Sequence, residues 1–131
     1  MLITINPKSQ KPLYEQIVQQ IKELVAKGIL EEEEQLPSVR DLAAQIVMNP
    51  NTVSKAYKEL ERQGVIVTIR GKGTFVAEQS LREVDPKERQ KIQEQLRQLV
   101  IEANYANVGR TEMIEWIEKE FEALGGSRDA D

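Results

Sequence analysis

Five stretches of the chain place apolar residues three and four positions apart, which is the spacing of an amphipathic helix with one buried stripe. The first stretch runs from Leu13 to Leu30, and Gly28 is predicted to end the helix. The second is short and follows Ser38, a predicted N-cap with Asp41 three residues later in a capping-box-like arrangement. The stripe residues of these two helices are Leu13, Ile17, Ile21, Leu24, Val25, Leu30, Val39, Leu42, Ala43 and Ile46.

A third helix is predicted after a tight connection at Val47-Met48. Asn49 is a strong N-cap residue, and Pro50 suits the first helical position because it has no amide hydrogen to leave unpaired. Gly64 is predicted to end this helix. Its core-facing positions, at i, i+3, i+4 and i+7, are Val53, Ala56, Tyr57 and Leu60.

Strands are predicted on either side of a glycine-rich basic turn at 70–73. Residues 65–69 are rich in β-branched side chains, and 74–76 return as a second strand. Residues 2–5 alternate weakly and are interpreted as a further short strand. The predicted fold class is mainly α with a small β-hairpin. Its order of helix, helix, tight turn, helix and hairpin is that of a winged helix-turn-helix domain.

Four consecutive glutamates, 31–34, lie between the first two helices. A solvated turn or an additional helical turn is the favoured interpretation. An acidic docking patch is the alternative.

Two more helices are predicted after Val76, where the composition changes. Asp85 and Pro86 form the start of one, a break follows over 104–110, and Thr111 is the predicted cap of the other. Two amphipathic helices of about 35 residues in total cannot form an independent core. They must pack on the first domain, on each other or on a second copy, and we favour the second copy. Their apolar residues are Ile92, Leu96, Leu99, Val100, Ala103, Met113, Ile114, Ile117, Phe121 and Leu124.

The predicted organisation has three parts. Residues 11–79 form the winged helix-turn-helix domain and 80–125 form a C-terminal two-helix dimerisation tail. Residues 126–131 are polar and are predicted to be disordered.

The composition argues against several classes of protein. The chain has no cysteine and no histidine, so disulfides, thiolate zinc sites and the commonest general base are absent. We therefore expect no enzymatic activity, no catalytic residue, no cofactor and no metal site. There is no run of about 18 apolar residues and no signal-peptide pattern in the first residues. Both observations favour a cytoplasmic protein that does not contact a membrane.

The net charge of −4 argues against a DNA partner until its distribution is considered. Residues 1–76 carry ten Lys/Arg and nine Asp/Glu, whereas 77–131 carry eight and thirteen. Between 35 and 76 there are six basic residues and three acidic ones. DNA responds to charges within about one Debye length, ~10 Å. The local positive excess therefore matters more than the total.

The start of the third helix carries the main candidates for base contact, because the second helix of a helix-turn-helix enters the major groove N-terminus first. Asn51 is the strongest candidate, since an Asn amide can pair bidentately with adenine. The Thr52 and Ser54 hydroxyls can reach phosphates or bases, and Lys55 lies on the same open side. For Asn49, capping the helix is the favoured role and DNA contact is the alternative.

Two other segments supply candidates for DNA contact. Arg40 could contact the DNA backbone or a guanine, with a surface ion pair as the alternative, and Ser38 could offer its amide to a phosphate or act only as a cap. In the basic turn, Gly71 permits close approach of the backbone. Arg70 would then enter the minor groove and Lys72 would contact phosphate. A bare turn with solvated charges is the alternative.

Five separated blocks resemble the GntR family of bacterial regulators. They are PLYEQI at 12–17, LPSVRDLA at 36–43, NPNTV at 49–53 with Ala56, Tyr57 and Leu60, then Gly64, and GKGTFV at 71–76. The short tail resembles the YtrA subfamily. The resemblance implies a homodimer that represses transcription by binding a palindromic operator in double-stranded DNA. It places the contacts on Ser38, Arg40, Asn49 to Thr52, Ser54, Arg70 and Gly71.

The subfamily implies control of a neighbouring transporter operon and of the regulator's own gene. Two departures from the family pattern stand out. Pro50 replaces a basic residue of many relatives, and 31–34 replace a loop that usually contains Pro and Gly, so this loop could be helical here.

A small-molecule effector, if one binds, is expected at the dimer interface because the tail is short. The alternative function is a winged-helix protein-interaction module whose acidic tail is the working surface.

Overall fold

The computed structural model describes residues 3–79 and 84–125, so the tail at 126–131, predicted to be disordered, lies outside the described residues. The chain divides into two compact units, Met1–Arg82 and Glu83–Asp131. Within the described residues, the first unit contains three helices and a small sheet, and the second contains two helices. No helix in those ranges is long and apolar enough to cross a membrane.

The helices of the first unit are α1 (Leu13–Ala26), α2 (Val39–Gln45) and α3 (Pro50–Arg62). Gly28 and Gly64 have φ of +76° and +75° just beyond α1 and α3, the left-handed conformation that ends many helices. The predicted core positions of α3 are all buried. The largest fully buried side chains of the unit are Ile17, Ile21, Leu42, Leu60, Val53 and Val76.

The sheet has three strands rather than the predicted two. The strands β1 (Gln35–Leu36), β2 (Ile66–Ile69) and β3 (Gly73–Val76) lie in the order β1-β3-β2, and both pairings are antiparallel. The β2–β3 hairpin confirms the prediction. The pattern missed β1 because two residues are too few to show a period of two. This strand joins the hairpin directly to the segment that enters α2.

The four glutamates form an exposed turn and not an additional helical turn. Glu33 has φ of +67°, which is incompatible with a continuing helix. The Glu33 amide donates to the Val76 carbonyl at 2.8 Å, and the Val76 amide donates to the Glu34 carbonyl at 2.9 Å. The turn therefore extends the β1–β3 ladder. A helical loop here, suggested by the departure from the family pattern, is wrong.

Residues 3–5 are not in a strand, contrary to the expectation for 2–5. Side-chain amides of α1 hold this segment instead. Gln20 Oε1 accepts from the Thr4 amide at 2.9 Å while its Nε2 donates to the Thr4 carbonyl, and Gln16 makes the same pair with Asn6 at 2.8 and 3.0 Å. Each glutamine satisfies the backbone donor and acceptor that a neighbouring strand would otherwise pair.

The second unit contains α4 (Pro86–Tyr105) and α5 (Arg110–Ala123). Asp85 caps α4 as predicted, its carboxylate accepting from the Lys87 amide at 2.9 Å. The predicted Thr111 cap is wrong, because α5 already begins at Arg110, after Gly109, and Thr111 lies inside the helix. α4 continues to Tyr105, two residues into the break predicted over 104–110, and Asn107 in the connection has φ of +60°.

The apolar stripes of α4 and α5 are largely exposed within this chain. Ala103 is the one buried residue on these two helices in the described part of the unit. The exposed apolar residues include Ile92, Leu96, Leu99, Val100, Ile114, Trp116, Ile117 and Phe121.

Candidate nucleic-acid interface

The start of α2 is fixed by a side-chain cap and by a contact from α3. Ser38 Oγ accepts from the Asp41 amide at 3.0 Å, which confirms the predicted cap. The Tyr57 hydroxyl of α3 donates to the Pro37 carbonyl at 2.7 Å. Burial raises the pKa of Tyr57 to about 12, because the charged phenolate would lose its hydration. These bonds hold Arg40, which is exposed, at a defined position on the first turn of α2.

The start of α3 is capped by Asn49, whose side-chain oxygen accepts from the Asn51 amide at 2.8 Å. This is the capping role favoured from the sequence. The Asn51 side chain is exposed, while Thr52 and Ser54 are half-buried. Asn51 is therefore the most accessible of the three polar side chains that follow the cap.

A shallow hollow lies between the starts of α2 and α3. Arg40 and Pro50 both line it, and the hollow has a volume of about 470 Å³. The remaining lining residues are Ala43, Ala44, Val47 and Met48. Arg40 and Pro50, the first residue of α3, thus line the same shallow surface.

The basic turn forms a wing that β1 supports. Gln35 Nε2 donates to the Lys72 carbonyl at 3.1 Å. Gly71 and Gly73 have φ of +80° and +119°, where only glycine fits without strain, and a Cβ at Gly73 would lie 2.6 Å from Gln35 Nε2. Since Gln35 is three residues before Ser38, this bond connects the wing tip to the segment that enters α2.

Lys55, on the second turn of α3, is held by a partner from α1. Its ammonium lies 4.1 Å from the centroid of the Tyr14 ring, within the range of a cation–π contact. The side chain is nevertheless exposed. The Tyr14 ring restricts the position of the Lys55 ammonium, and the ammonium keeps its positive charge.

The positive charges of this surface are not offset by ion pairs. Arg40, Arg70 and Lys72 are exposed, and none of them forms an ion pair with an acid among residues 3–79 and 84–125. Glu59, near the far end of α3, is occupied by hydrogen bonds from Arg62 and Gln63, which lower its pKa to about 2. Of the two acids on α3, Glu59 and Glu61, Glu59 is thus paired away from the helix start.

Two groups of this surface were not singled out from the sequence. Tyr14 and Gln35 act through contacts with residues 41 and 37 positions away, Lys55 and Lys72, which no periodicity reveals. In the described residues, no group of three or more Asp or Glu side chains is arranged to hold a metal ion.

A helix-turn-helix with two capped helix starts, followed by a basic wing, defines a winged-helix DNA-binding protein. The comparisons with known proteins specify the family. A model of the bacterial regulatory proteins of the gntR family matches residues 13–76. The chain is 52% identical over 118 residues to the HTH-type transcriptional repressor YtrA of Bacillus subtilis (strain 168), which covers 90% of this chain and 91% of that protein. This chain belongs to the GntR family.

Solved structures share the fold. A protein from Listeria monocytogenes EGD-e, described as a transcriptional antiterminator, has a TM-score of 0.88 at 45% identity, covering 95% of this chain and 92% of that one. The DNA-binding domain of AraR, in complex with operator ORX1, has a TM-score of 0.51 at 29% identity, covering 56% of this chain and 92% of that one. The chain is a transcriptional regulator of the YtrA-like subfamily with a winged-helix DNA-binding fold.

Proposed function

We propose that this regulator represses transcription by binding a palindromic operator in double-stranded DNA as a homodimer. The observation that carries the proposal is the single surface made by the starts of α2 and α3 and the wing. Arg40 and Pro50 border one hollow, and Gln35 ties the wing to the segment that enters α2. The name of the Bacillus relative and the operator bound to AraR support the same activity.

In the proposed complex, α3 lies in the major groove with its N-terminus toward the bases. Asn51 pairs with adenine and Arg40 with guanine. The backbone amide of Ser38 and the ammonium of Lys55 contact phosphates, and the hydroxyls of Thr52 and Ser54 contact phosphates or bases. Asn49 serves chiefly as the cap. These roles follow from side-chain chemistry and from the exposure of Arg40, Asn51 and Lys55.

The wing is proposed to contact the DNA beside the major groove. Gly71 has no side chain, so its backbone can approach the duplex closely, and Arg70 can enter the minor groove while Lys72 contacts a phosphate. The Gln35 bond to the Lys72 carbonyl keeps this tip ordered before DNA arrives.

The homodimer is proposed to form through α4 and α5 within a tail at 80–125, with 11–79 as the DNA-binding domain. The large apolar side chains exposed on both helices, Trp116 and Phe121 among them, are what a second copy would cover. The dimer would place two α3 helices about one DNA turn, ~34 Å, apart. A small-molecule effector would bind at this interface.

The regulated genes are proposed to be a neighbouring transporter operon and the regulator's own gene, and the site of action the cytoplasm. Selection of duplexes from a random DNA pool, followed by sequencing, tests the central claim. Enrichment of an inverted repeat, bound by two chains in sedimentation experiments, is the expected result. A folded protein that enriches no sequence would overturn the proposal and favour a protein-interaction module without specific DNA binding.

A further inference from the structure

The hollow between α2 and α3 has a chemical character that the proposed base contacts do not use. Apart from Arg40, its lining is apolar: Ala43, Ala44, Val47, Met48 and Pro50. Polar side chains read donors and acceptors on base edges, but an apolar surface in the major groove has one specific target, the C5-methyl group of thymine.

Among the residues that line this hollow, Val47 combines an exposed apolar side chain with a strained backbone conformation. Its side chain is 90% exposed, so it contributes almost nothing to the core. Its φ is +52°, a left-handed conformation that a β-branched residue adopts only with strain. A glycine would make the same turn without strain. An exposed, strained valine is therefore poorly explained by folding.

The position of the hollow decides what can occupy it. Arg40 and Pro50, the first residue of α3, both line it and both belong to the surface proposed to meet DNA. A duplex that contacts both residues would therefore lie against the apolar side chains that line the same hollow. The unpaired Arg40 guanidinium also draws an anionic polymer to this place rather than an apolar ligand.

We propose that Val47, with its apolar neighbours in the hollow, recognises a thymine methyl group in each operator half-site. This inference rests on the proposed DNA-binding function and adds a specificity-determining contact to it. It also accounts for a valine at a turn where glycine would be less strained.

The test uses the full chain and the duplex enriched from the random pool, in which each thymine is replaced in turn by deoxyuridine. This replacement removes the methyl group and leaves every donor and acceptor in place. We expect one replacement per half-site to weaken binding about three- to five-fold, the change expected for one methyl group no longer buried. In Val47→Gly, the same replacement should have no effect.

Val47→Gly removes the strain, so we expect it to raise the melting temperature, and loss of folding cannot explain a loss of thymine preference. Ile29→Ala is the control, because Ile29 is 62% exposed but does not line the hollow; it should keep the full sensitivity. Uniform binding to all deoxyuridine duplexes, or equal sensitivity in Val47→Gly, would overturn the inference. Binding to the unmodified duplex reports separately on the proposed function.

Discussion

The Lys55 ammonium lies 4.1 Å from the centre of the Tyr14 ring, so a residue of α1 positions a charge on the recognition helix. A flexible lysine that binds phosphate loses side-chain freedom. Because the Tyr14 ring already restricts Lys55, less of this entropy remains to be lost when DNA binds. Tyr14 is thus a positioning residue: it does not contact DNA itself but orients Lys55 for the proposed phosphate contact.

Replacing Tyr14 with leucine should weaken operator binding about two- to five-fold, because a Lys55 side chain freed from the ring would lose about 0.5–1 kcal/mol more side-chain entropy on binding. Tyr14→Phe keeps the ring and should bind like the parent. Fluorescence anisotropy on a labelled operator measures both. If Tyr14→Leu weakens binding equally in a Lys55→Ala background, the effect does not pass through Lys55.

Arg40→Ala and Asn51→Ala should each cost about 1–3 kcal/mol of specific binding and relax the preference at one base pair. Lys72→Ala is the matched comparison, since a phosphate contact should be lost equally on all sequences and should reduce the salt dependence by about one ion. Repeating the duplex selection with each variant measures the preference. An unchanged base profile in Arg40→Ala or Asn51→Ala would remove that residue from base recognition.

Gly73→Ala should destabilise the wing by about 1–3 kcal/mol, because φ of +119° is strained for alanine and the new Cβ would lie 2.6 Å from Gln35 Nε2. Thermal unfolding measures the change. The double variant Gln35→Ala/Gly73→Ala removes the close contact and should recover part of the loss, leaving the backbone strain. A double variant no more stable than Gly73→Ala would show that Gln35 does not press on this position.

Tyr57→Phe should lower the free energy of unfolding by about 1 kcal/mol near pH 8, since it removes the hydrogen bond to the Pro37 carbonyl. The pKa of Tyr57 is raised to about 12 in the folded protein, whereas an unfolded tyrosine titrates near 10. Its contribution to stability is therefore complete below pH 10 and is lost as the pH rises toward 12.

Denaturant unfolding of parent and Tyr57→Phe between pH 8 and about 12 checks this dependence. Other alkaline titrations occur in both proteins and cancel in the difference between them. The stability advantage of the parent should shrink across this range. A stability difference that stays constant with pH would mean that the pKa of Tyr57 is the same in the folded and the unfolded protein.

Local signals in the sequence predicted most of the fold correctly. The caps at Ser38 and Asn49 and the stripe of α3 follow from contacts within one turn of helix, and the structure confirms them. The long-range contacts that the sequence did not predict have a common cause. The Gln20 bonds to Thr4, the Gln35 bond to the wing and the Tyr14 contact join distant segments through single side chains, and such pairs leave no periodic trace.

The candidate interface divides in the same way. Residue type and position relative to a helix start were enough to nominate Arg40 and Asn51, and the structure places both in the open. The hollow could not be foreseen, because it depends on the angle between α2 and α3 and on the left-handed conformation of Val47. Whether each nominated residue contacts DNA stays a prediction.

The way α3 begins has a consequence for how the molecule meets DNA. Its cap, Asn49, is uncharged and its first turn contains no acid, whereas α4 begins with Asp85 and has Glu88 in its first turn. The partial positive charge of the α3 helix dipole is therefore left uncompensated, in a chain whose net charge is −4. Such a distribution orients the protein during diffusion toward a polyanion. Association should accordingly be fast at low ionic strength and slow steeply with added salt, despite the repulsion that the overall charge implies.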